Sequence, residues 1–359
     1  MGGACKHAPY LAWPSMDGGG HGGCMAFLVG IDEAGYGPHL GPLVVAAATL
    51  EFSALARPAA GGTADALPDP DLWESLQSHI HKRPSGSGGR VVVCDSKVAY
   101  ASGNLATLER AVLGFLAAAG ARPRSLAELI RVLAVPSSEP SANGLPRPWD
   151  RPEALCLPLA SDTAEIDSAA AHLEKGLAVI GGRIGGLTVN IASAARLNRL
   201  IDGDRNKAGA LFALAADLVA ESISRSRGQA VHFTMDRHGG RRYYAGLLCG
   251  AFPMTAVETL EESPEMSRYR LVHSGSEAPV LISVCDRCET WSLPTALASM
   301  AAKYVRELAM AQLNASVQSL VPGLRPTAGY GLDAWRFLDD VAGARTAAGV
   351  PVAAMLRSR

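Results

Sequence analysis

The sequence has few charged residues, few aromatic residues and no long uninterrupted apolar run. Charged residues make up 19% and aromatic residues 6% of the 359 residues, whereas hydrophobic residues make up 48%. This composition excludes an intrinsically disordered chain and indicates a globular one. No apolar stretch reaches the roughly 18 to 20 residues that cross a bilayer without Gly, Pro or charge, so no membrane-spanning role is predicted.

The chain also lacks the excess of positive charge that is typical of nucleic-acid-binding proteins. Its net charge is -1 at pH 7, and its pI is about 6.8. A polyanionic ligand would therefore have to be bound by a local patch of the surface, assisted by metal ions.

A disulfide framework and a signal peptide are not predicted either. The seven cysteines are an odd number scattered through a long chain, which favours reduced thiols. Cys285 and Cys288 have a metal-like spacing, but no second pair completes a zinc site, so a zinc or redox role for them is disfavoured. The first 24 residues show no basic start followed by an apolar segment, and we expect a cytoplasmic protein.

The most informative stretch is residues 26–50, AFLVGIDEAGYGPHLGPLVVAAATL. Two apolar runs predict strands, and between them lie Asp32 and Glu33 followed by a turn rich in Gly and Pro. Neighbouring side chains of a regular strand face opposite sides, so this pair can serve one site only where the strand ends or is distorted. The glycines would let a large polar ligand approach the main chain.

Residues 30–38, GIDEAGYGP, followed by residues 40–47, LGPLVVAA, resemble the signature of the type 2 ribonucleases H and are similar to that of the type 3 enzymes. The resemblance implies that Asp32 and Glu33 are catalytic, metal-binding carboxylates. It also implies that Gly35, Tyr36 and Gly37 contact the substrate, because the family uses a Gly-Arg/Lys-Gly motif here to read ribose 2'-hydroxyl groups. Tyr36 replaces the cation of that motif.

Four further segments continue the resemblance in the same order along the chain. Asp95-Ser96-Lys97 supplies Lys97 as a phosphate-facing cation, and the strand before residue 236 supplies the carboxylate Asp236. The helix motif of residues 299–307 supplies Lys303 as a substrate contact and Glu307 as a metal-site carboxylate. Gly329-Tyr330-Gly331 supplies Tyr330 as a contact to the sugar at the RNA–DNA junction. From the residues alone, Lys303 and Glu307 would form an ion pair four residues apart on a helix, and Tyr330 would be a packed surface ring.

The resemblance implies an α/β fold, a ribonuclease-H-like mixed sheet flanked by helices with a helical C-terminal part. We expect a flexible tail at 1–25, a catalytic domain at 26–345 with insertions at about 52–90 and 121–186, and a C-terminal tail at 346–359. Apolar periodicity predicts a helix over 292–313, two or three strands over 254–284, and a long helical region over 189–223 with a break near 201–204.

The implied activity is that of a metal-dependent endonuclease. It would hydrolyse the RNA strand of RNA–DNA hybrids, or DNA duplexes at single ribonucleotides, with Mg2+ or Mn2+ held by the carboxylates Asp32, Glu33, Asp236 and Glu307. Two alternatives stay open: a non-catalytic relative that binds hybrids, and a nuclease of the same fold that acts on another nucleic acid. The first is motivated by Tyr36 and by Glu307, which replaces the Asp of the family motif, and the second by the altered glycine-rich loop and the insertions.

Overall fold

The structure, a computed structural model, describes residues 25–53, 71–101, 103–139, 143–204, 206–273 and 278–358. It contains a seven-stranded mixed sheet with helices packed on both faces. The predicted α/β class, a mixed sheet flanked by helices, is confirmed. Apart from Met25, the predicted N-terminal tail lies outside the described residues. In the described part of the chain, no helix is both long and apolar enough to span a membrane.

The strands follow the apolar runs of the sequence. They are β1 (Met25–Ala34), β2 (Leu43–Ser53), β3 (Ile80–His81), β4 (Val91–Val92), β5 (Gly182–Ala192), β6 (Ala230–Asp236), β7 (Thr255–Glu262), β8 (Met266–His273) and β9 (Val280–Cys285). The main sheet has the order β5-β2-β1-β6-β9-β8-β7, and β3 pairs with β4 in a separate small sheet. Strands β1, β6 and β9 are parallel to one another, whereas every other pairing in the main sheet is antiparallel.

The helices are distributed over the whole chain. They are α1 (Leu72–Ser75), α2 (Ser96–Ala99), α3 (Ala106–Ala118), α4 (Leu126–Leu133), α5 (Thr163–Val179), α6 (Ala194–Asp204), α7 (Lys207–Ser226), α8 (Ala245–Ala251), α9 (Leu293–Leu320), α10 (Gly331–Asp340) and α11 (Ala342–Ala347). The longest, α9, begins after Ser292, whose hydroxyl accepts a hydrogen bond from the N–H of Thr295, and has Pro294 in its first turn.

Successive side chains of the central strands point to opposite faces of the sheet, and an apolar core lies on each face. On β2, Val44 and Ala46 belong to the core that includes α3, α5 and α9, whereas Leu43 and Val45 belong to the core that includes α7. This is the period of two expected for a strand buried on both sides. A third, smaller cluster joins Leu40 to the end of α9, to α10 and to the C-terminal residues.

The predicted elements were mostly confirmed, with two corrections. The helix expected over 292–313 is α9, and the strands expected over 254–284 are β7, β8 and β9. The predicted helical region over 189–223 is wrong at its start, because Val189 to Ala192 form the end of β5, paired with β2 at the edge of the sheet. The segment predicted as a C-terminal tail is packed on the domain, since the backbone N–H of Arg357 donates to the carbonyl of His39.

Gly30 lies at a close approach between β1 and α9. A Cβ atom added at Gly30 would lie 2.0 Å from the backbone nitrogen of Thr295 and 2.1 Å from the carbonyl carbon of Pro294. Both are main-chain atoms, which cannot rotate away as a side chain can. The glycine therefore lets the start of α9 lie directly on β1, and this contact brings α9 next to the carboxylate at residue 32.

We expect Gly30→Ala to lower the free energy of unfolding by about 3 kcal/mol or more, since the new methyl group overpacks a backbone contact. Gly246→Ala in α8 is the matched control: its Cβ would meet no atom within 4 Å, so it should be neutral or stabilising by up to about 1 kcal/mol. Urea unfolding of both variants measures the difference. Equal midpoints would contradict the close approach.

Candidate active site

The candidate site lies where the three parallel strands end. Ile31 is the last residue of β1 that pairs with β6, opposite Met235, so Asp32 and Glu33 extend past the end of that pairing. Asp236 is the last residue of β6 and pairs with Cys285, the last residue of β9. Carboxyl ends of parallel strands meet at one edge of a sheet, and here they bring acids distant in sequence together.

Asp32 and Glu33 are partly buried and interact with each other and with Asp236. Burial raises the pKa of Asp32 well above its ordinary value, with the charges of Glu33 and Asp236 adding to the effect and a hydrogen bond from Ser299 opposing it. Burial also raises the pKa of Glu33 to about 7, the charge of Asp236 adds to the rise, and Lys97 opposes it. The three carboxylates therefore repel one another in a poorly solvated place.

Asp236 is held by the turn that follows β9. Its Oδ1 accepts a hydrogen bond from the N–H of Cys288 at 3.3 Å, and burial raises its pKa. The sulfur atoms of Cys285 and Cys288 are joined in a disulfide across this turn, so the expectation of reduced thiols is wrong for this pair. The two cysteines come together because Arg287 between them adopts a left-handed conformation, with φ of 57°, which closes the turn.

Glu289, in the same turn, is a fourth carboxylate that the sequence analysis did not select. Burial raises its pKa, and the charges of Asp236 and Asp95 add to the rise. Its Oε2 atom is buried and has no hydrogen-bond partner among the described residues. The sequence could have indicated Glu289 by its position four residues after the end of a strand parallel to β6. Only the Cys-x-x-Cys spacing beside it was considered as a metal-binding pattern.

Glu307, in contrast, is neutralised by its own helix. Its Oε1 atom lies 2.7 Å from Lys303 Nζ and 2.9 Å from Arg306 Nη1. Ser299, which bonds Asp32, lies eight residues earlier on α9, or about 12 Å along the helix axis. The structure thus groups Asp32, Glu33 and Glu289 around Asp236, whose charge acts on each of them. It places Glu307 in the ion pair that the four-residue spacing indicates.

Residues 35–41, here called the glycine loop, border the carboxylates. Gly35 has φ of 92°, and a Cβ on it would lie 2.7 Å from Arg306 Nε. Tyr36 is half-buried, and Lys207 Nζ lies 4.9 Å from the centroid of its ring. Burial, followed by the charge of Glu33, raises the pKa of Tyr36. A cation is therefore present beside this loop, but it comes from the start of α7 and not from position 36.

The other sequence-predicted contacts surround the same region. Lys97 is exposed at the start of α2 and acts on Glu33 electrostatically. Lys303 is bound to Glu307, and its Nζ also lies 4.6 Å from the ring centroid of Tyr100. Tyr330 is 49% exposed, and a Cβ added at Gly37 would lie 4.0 Å from its Cε1 atom. Tyr330 and the glycine loop therefore form one continuous surface.

The four grouped carboxylates suit a hard divalent cation. Among the described residues, no three His, Cys, Asp or Glu side chains are gathered as a ready metal site. However, carboxylate oxygens are the donors that Mg2+ and Mn2+ prefer, and the buried Oε2 atom of Glu289 lacks a partner in the part of the chain that the structure describes. A cation would satisfy that atom and offset the repulsion that raises the pKa values of its neighbours.

The raised pKa of Glu33 predicts a pH-dependent cost to stability. Between about pH 4.5 and 7 the unfolded chain releases this proton while the folded chain retains it, so the free energy of unfolding falls as pH rises. The fall contributed by Glu33 is about 3 kcal/mol. Buried His232 and His238, whose pKa values are lowered to about 4, act in the opposite direction below about pH 6.5.

A comparison with Glu33→Gln isolates this effect. In EDTA at pH 8 the variant should exceed the wild type in unfolding free energy by about 3 kcal/mol, with a smaller difference at pH 5. At pH 8, Mg2+ should reduce this difference in unfolding free energy, because it should stabilise the wild type more than the variant. Urea unfolding at both pH values checks this, and a gap independent of pH would count against the buried carboxylate.

Comparison with known proteins gives only remote likenesses. No protein-family model matches the chain, and no curated protein matches it. Among solved structures, the PCNA:RNase HII complex from Archaeoglobus fulgidus contains a chain that is 15% identical, with 93% of this chain and 94% of that chain covered and a TM-score of 0.37. Ribonuclease H2 from Pyrococcus horikoshii OT3 is 13% identical, with coverages of 90% and 89% and a TM-score of 0.35.

A third solved structure, Bst-RNase HIII in complex with Mn2+, is 14% identical, and its TM-score is 0.37. The match covers 92% of this chain but spans only 66% of the length of that one. All three TM-scores are below 0.5, so the residues of the chain itself have to carry the functional argument.

Proposed function

We propose that the protein is a metal-dependent endonuclease that hydrolyses the RNA strand of RNA–DNA hybrids and cuts DNA duplexes at single ribonucleotides. The observation that carries the proposal is the group of four carboxylates at the ends of β1, β6 and β9, next to the glycine loop and the exposed Tyr330. The resemblance of residues 30–47 to the type 2 ribonucleases H supports the same assignment.

In this mechanism Asp32, Glu33, Asp236 and Glu289 would hold the divalent cations. Bound Mg2+ or Mn2+ supplies a nucleophilic water and offsets the charge on the scissile phosphate and on the leaving oxygen. The carboxylates would orient the reacting groups, and the pKa of Glu33, raised to about 7, means that without metal this carboxyl retains part of its proton near neutral pH. Lys97 stands beside Glu33 as a cation for the phosphate backbone.

Selection of the RNA strand is assigned to the glycine loop and Tyr330. Recognition of RNA depends on the 2'-hydroxyl and on the shape of a shallow minor groove. The loop offers main-chain groups to that groove, and the half-exposed ring of Tyr330 offers a flat surface for a sugar. Tyr36 with Lys207 replaces the cation that the family motif has at position 36.

Cleavage of end-labelled duplexes tests the proposal. The substrates are an RNA–DNA hybrid, DNA with one embedded ribonucleotide, a DNA duplex and an RNA duplex, each with Mg2+, Mn2+ or EDTA. We expect cuts on the RNA strand or beside the ribonucleotide with either metal and none with EDTA. Metal-dependent cutting of duplexes that contain only DNA or only RNA would favour a nuclease that acts on another nucleic acid. Binding of the hybrid without any cutting would favour a non-catalytic relative.

A further inference from the structure

The C-terminal segment, residues 351–358, lies directly against the glycine loop. Leu356 forms an antiparallel bridge with Leu40, and the backbone N–H of Arg357 donates to the carbonyl of His39 at 2.9 Å. Met355 and Leu40 are buried in the same apolar cluster. More than 300 residues of chain separate the two segments, yet they pack as neighbours.

Arg357 joins the two segments through its side chain, which is buried. Its Nε donates to the carbonyl of Gly41 at 2.7 Å, and its Nη1 donates to the carbonyl of Gly35 and, at 3.4 Å, to that of Pro38. One guanidinium therefore binds main-chain oxygens at the start, middle and end of the loop. Only arginine presents several donors in a rigid plane, so no other side chain can make this set of bonds.

These bonds determine which way the loop presents its peptide groups. In a trans peptide the C=O and N–H groups point in opposite directions. Because the carbonyl of Gly35 points at Arg357, the N–H of Tyr36 points away from the buried guanidinium. Gly35 and Gly41, with φ of 92° and 80°, adopt conformations that side chains rarely allow. The loop conformation therefore depends on two glycines and on the arginine that binds their carbonyls.

Arg357 also places an uncompensated positive charge behind the loop. No carboxylate pairs with it in the described ranges, and its buried Nη2 atom has no partner there. Burial and then the neighbouring charge of Arg306 lower its pKa to about 9. In a poorly solvated place such a charge attracts an anion on the outer side of the loop more strongly than an exposed one would.

We propose that Arg357 is a positioning residue that holds the glycine loop in the conformation that binds the sugar–phosphate backbone of a nucleic acid, which makes residues 351–358 part of the binding site. The identity of the ligand rests on the proposed function; the effect of Arg357 on the loop does not.

Asn198 on α6 anchors the same segment from its other side. Its Nδ2 donates to the carbonyls of Ala353 and Leu356, at 3.2 and 2.9 Å, and its Oδ1 accepts from the N–H of Ser358 at 2.6 Å. Among the described residues, the side chain of Asn198 bonds Ala353, Leu356 and Ser358 and not the glycine loop, so Asn198→Ala disturbs the loop only through the segment. It therefore tests the same connection without removing the guanidinium.

The first measurement is hydrogen exchange of the amides in residues 35–41 of the full chain, without nucleic acid or metal. Arg357→Met keeps the aliphatic length and removes the donors, and it should raise loop exchange about tenfold or more. Arg357→Lys should have a smaller effect, and Asn198→Ala about a threefold one. The matched control is Arg196→Met, which removes another mostly buried arginine that donates to a main-chain carbonyl, that of Ile191. It should leave the loop unchanged, even if it lowers overall stability.

The second measurement is steady-state cleavage of the RNA–DNA hybrid, with hybrid binding in EDTA measured in parallel. Arg357→Met should raise KM and the binding constant Kd about tenfold and change kcat less than threefold, and Arg357→Lys should restore part of the affinity. If the loop amides of Arg357→Met and Arg357→Lys exchanged at the wild-type rate, the positioning role would be overturned. Faster loop exchange with unchanged Kd would overturn the role in binding. A wild-type protein that binds hybrids without cutting them would refute the nuclease and leave the binding test intact.

Discussion

Asp236→Asn should lower metal-dependent cleavage of an RNA–DNA hybrid by at least about a thousand-fold, equivalent to about 4 kcal/mol in the activation barrier. Asp236 ends β6 beside Asp32 and Glu33, and its charge contributes to the raised pKa values of Asp32, Glu33 and Glu289. The amide keeps the shape of the side chain but cannot supply the negative charge that a divalent cation requires. Asp32→Asn should have an effect of the same order.

Folding and activity have to be measured separately in these variants. The substitutions should keep the wild-type circular dichroism spectrum and should raise the melting temperature in EDTA, because each removes a buried carboxylate from a group that repels itself. Asp167→Asn on α5 is a suitable control, since that carboxylate is exposed and forms an ion pair with Arg122. Full activity of Asp236→Asn or Asp32→Asn would refute the nuclease assignment.

The second large effect is a contrast between two glutamates. Glu289→Gln should lower kcat/KM by about a hundredfold or more, because the charge of Asp236 acts on Glu289 and its buried Oε2 atom has no partner within the described residues. Glu307→Gln should lower it less than about tenfold, because Lys303 and Arg306 already bind that carboxylate. The two substitutions are chemically identical, so each is the matched control of the other.

Titration calorimetry with Mn2+ gives a readout that does not depend on turnover. Even loss of a group that only orients a metal ligand typically costs about tenfold or more in metal affinity, and loss of a ligand should cost at least as much. Glu289→Gln should therefore show weaker Mn2+ binding, while Glu307→Gln resembles the wild type. If Glu307→Gln weakened Mn2+ binding and Glu289→Gln did not, Glu307 would be the fourth carboxylate, as the resemblance of residues 299–307 implies. That result would also mean that the Lys303 ion pair opens when metal binds.

The fold explains why such a site is stable enough to exist. The four acids lie at the ends of strands whose apolar residues are buried on both faces, so the sheet carries the stability that the repelling carboxylates reduce. Gly30 contributes by allowing α9 to lie against β1. Ser299 of that helix then reaches Asp32.

The sequence by itself was sufficient for elements with a strong local pattern. The apolar runs around Asp32 and Glu33 predicted β1 and β2, and helical periodicity with Pro294 in the first turn predicted α9. Asp236 was found because an acid after a buried run is a local signal. These features depend on residues a few positions apart, which propensity and periodicity describe directly. The helix predicted from residue 189 failed because β5 pairs with β2, and such pairing is a non-local contact.

Only the tertiary structure decided which acid lies near Asp236 and what holds the glycine loop. Glu289 meets Asp236 because β9 pairs with β6, whereas Glu307 is carried about two turns along α9 into contact with Lys303 and Arg306. Arg357 looks from the sequence like part of a tail, yet it binds carbonyls of Gly35 and Gly41. Contacts between residues tens to hundreds of positions apart arise from packing of the whole chain, and no local pattern of residues contains them.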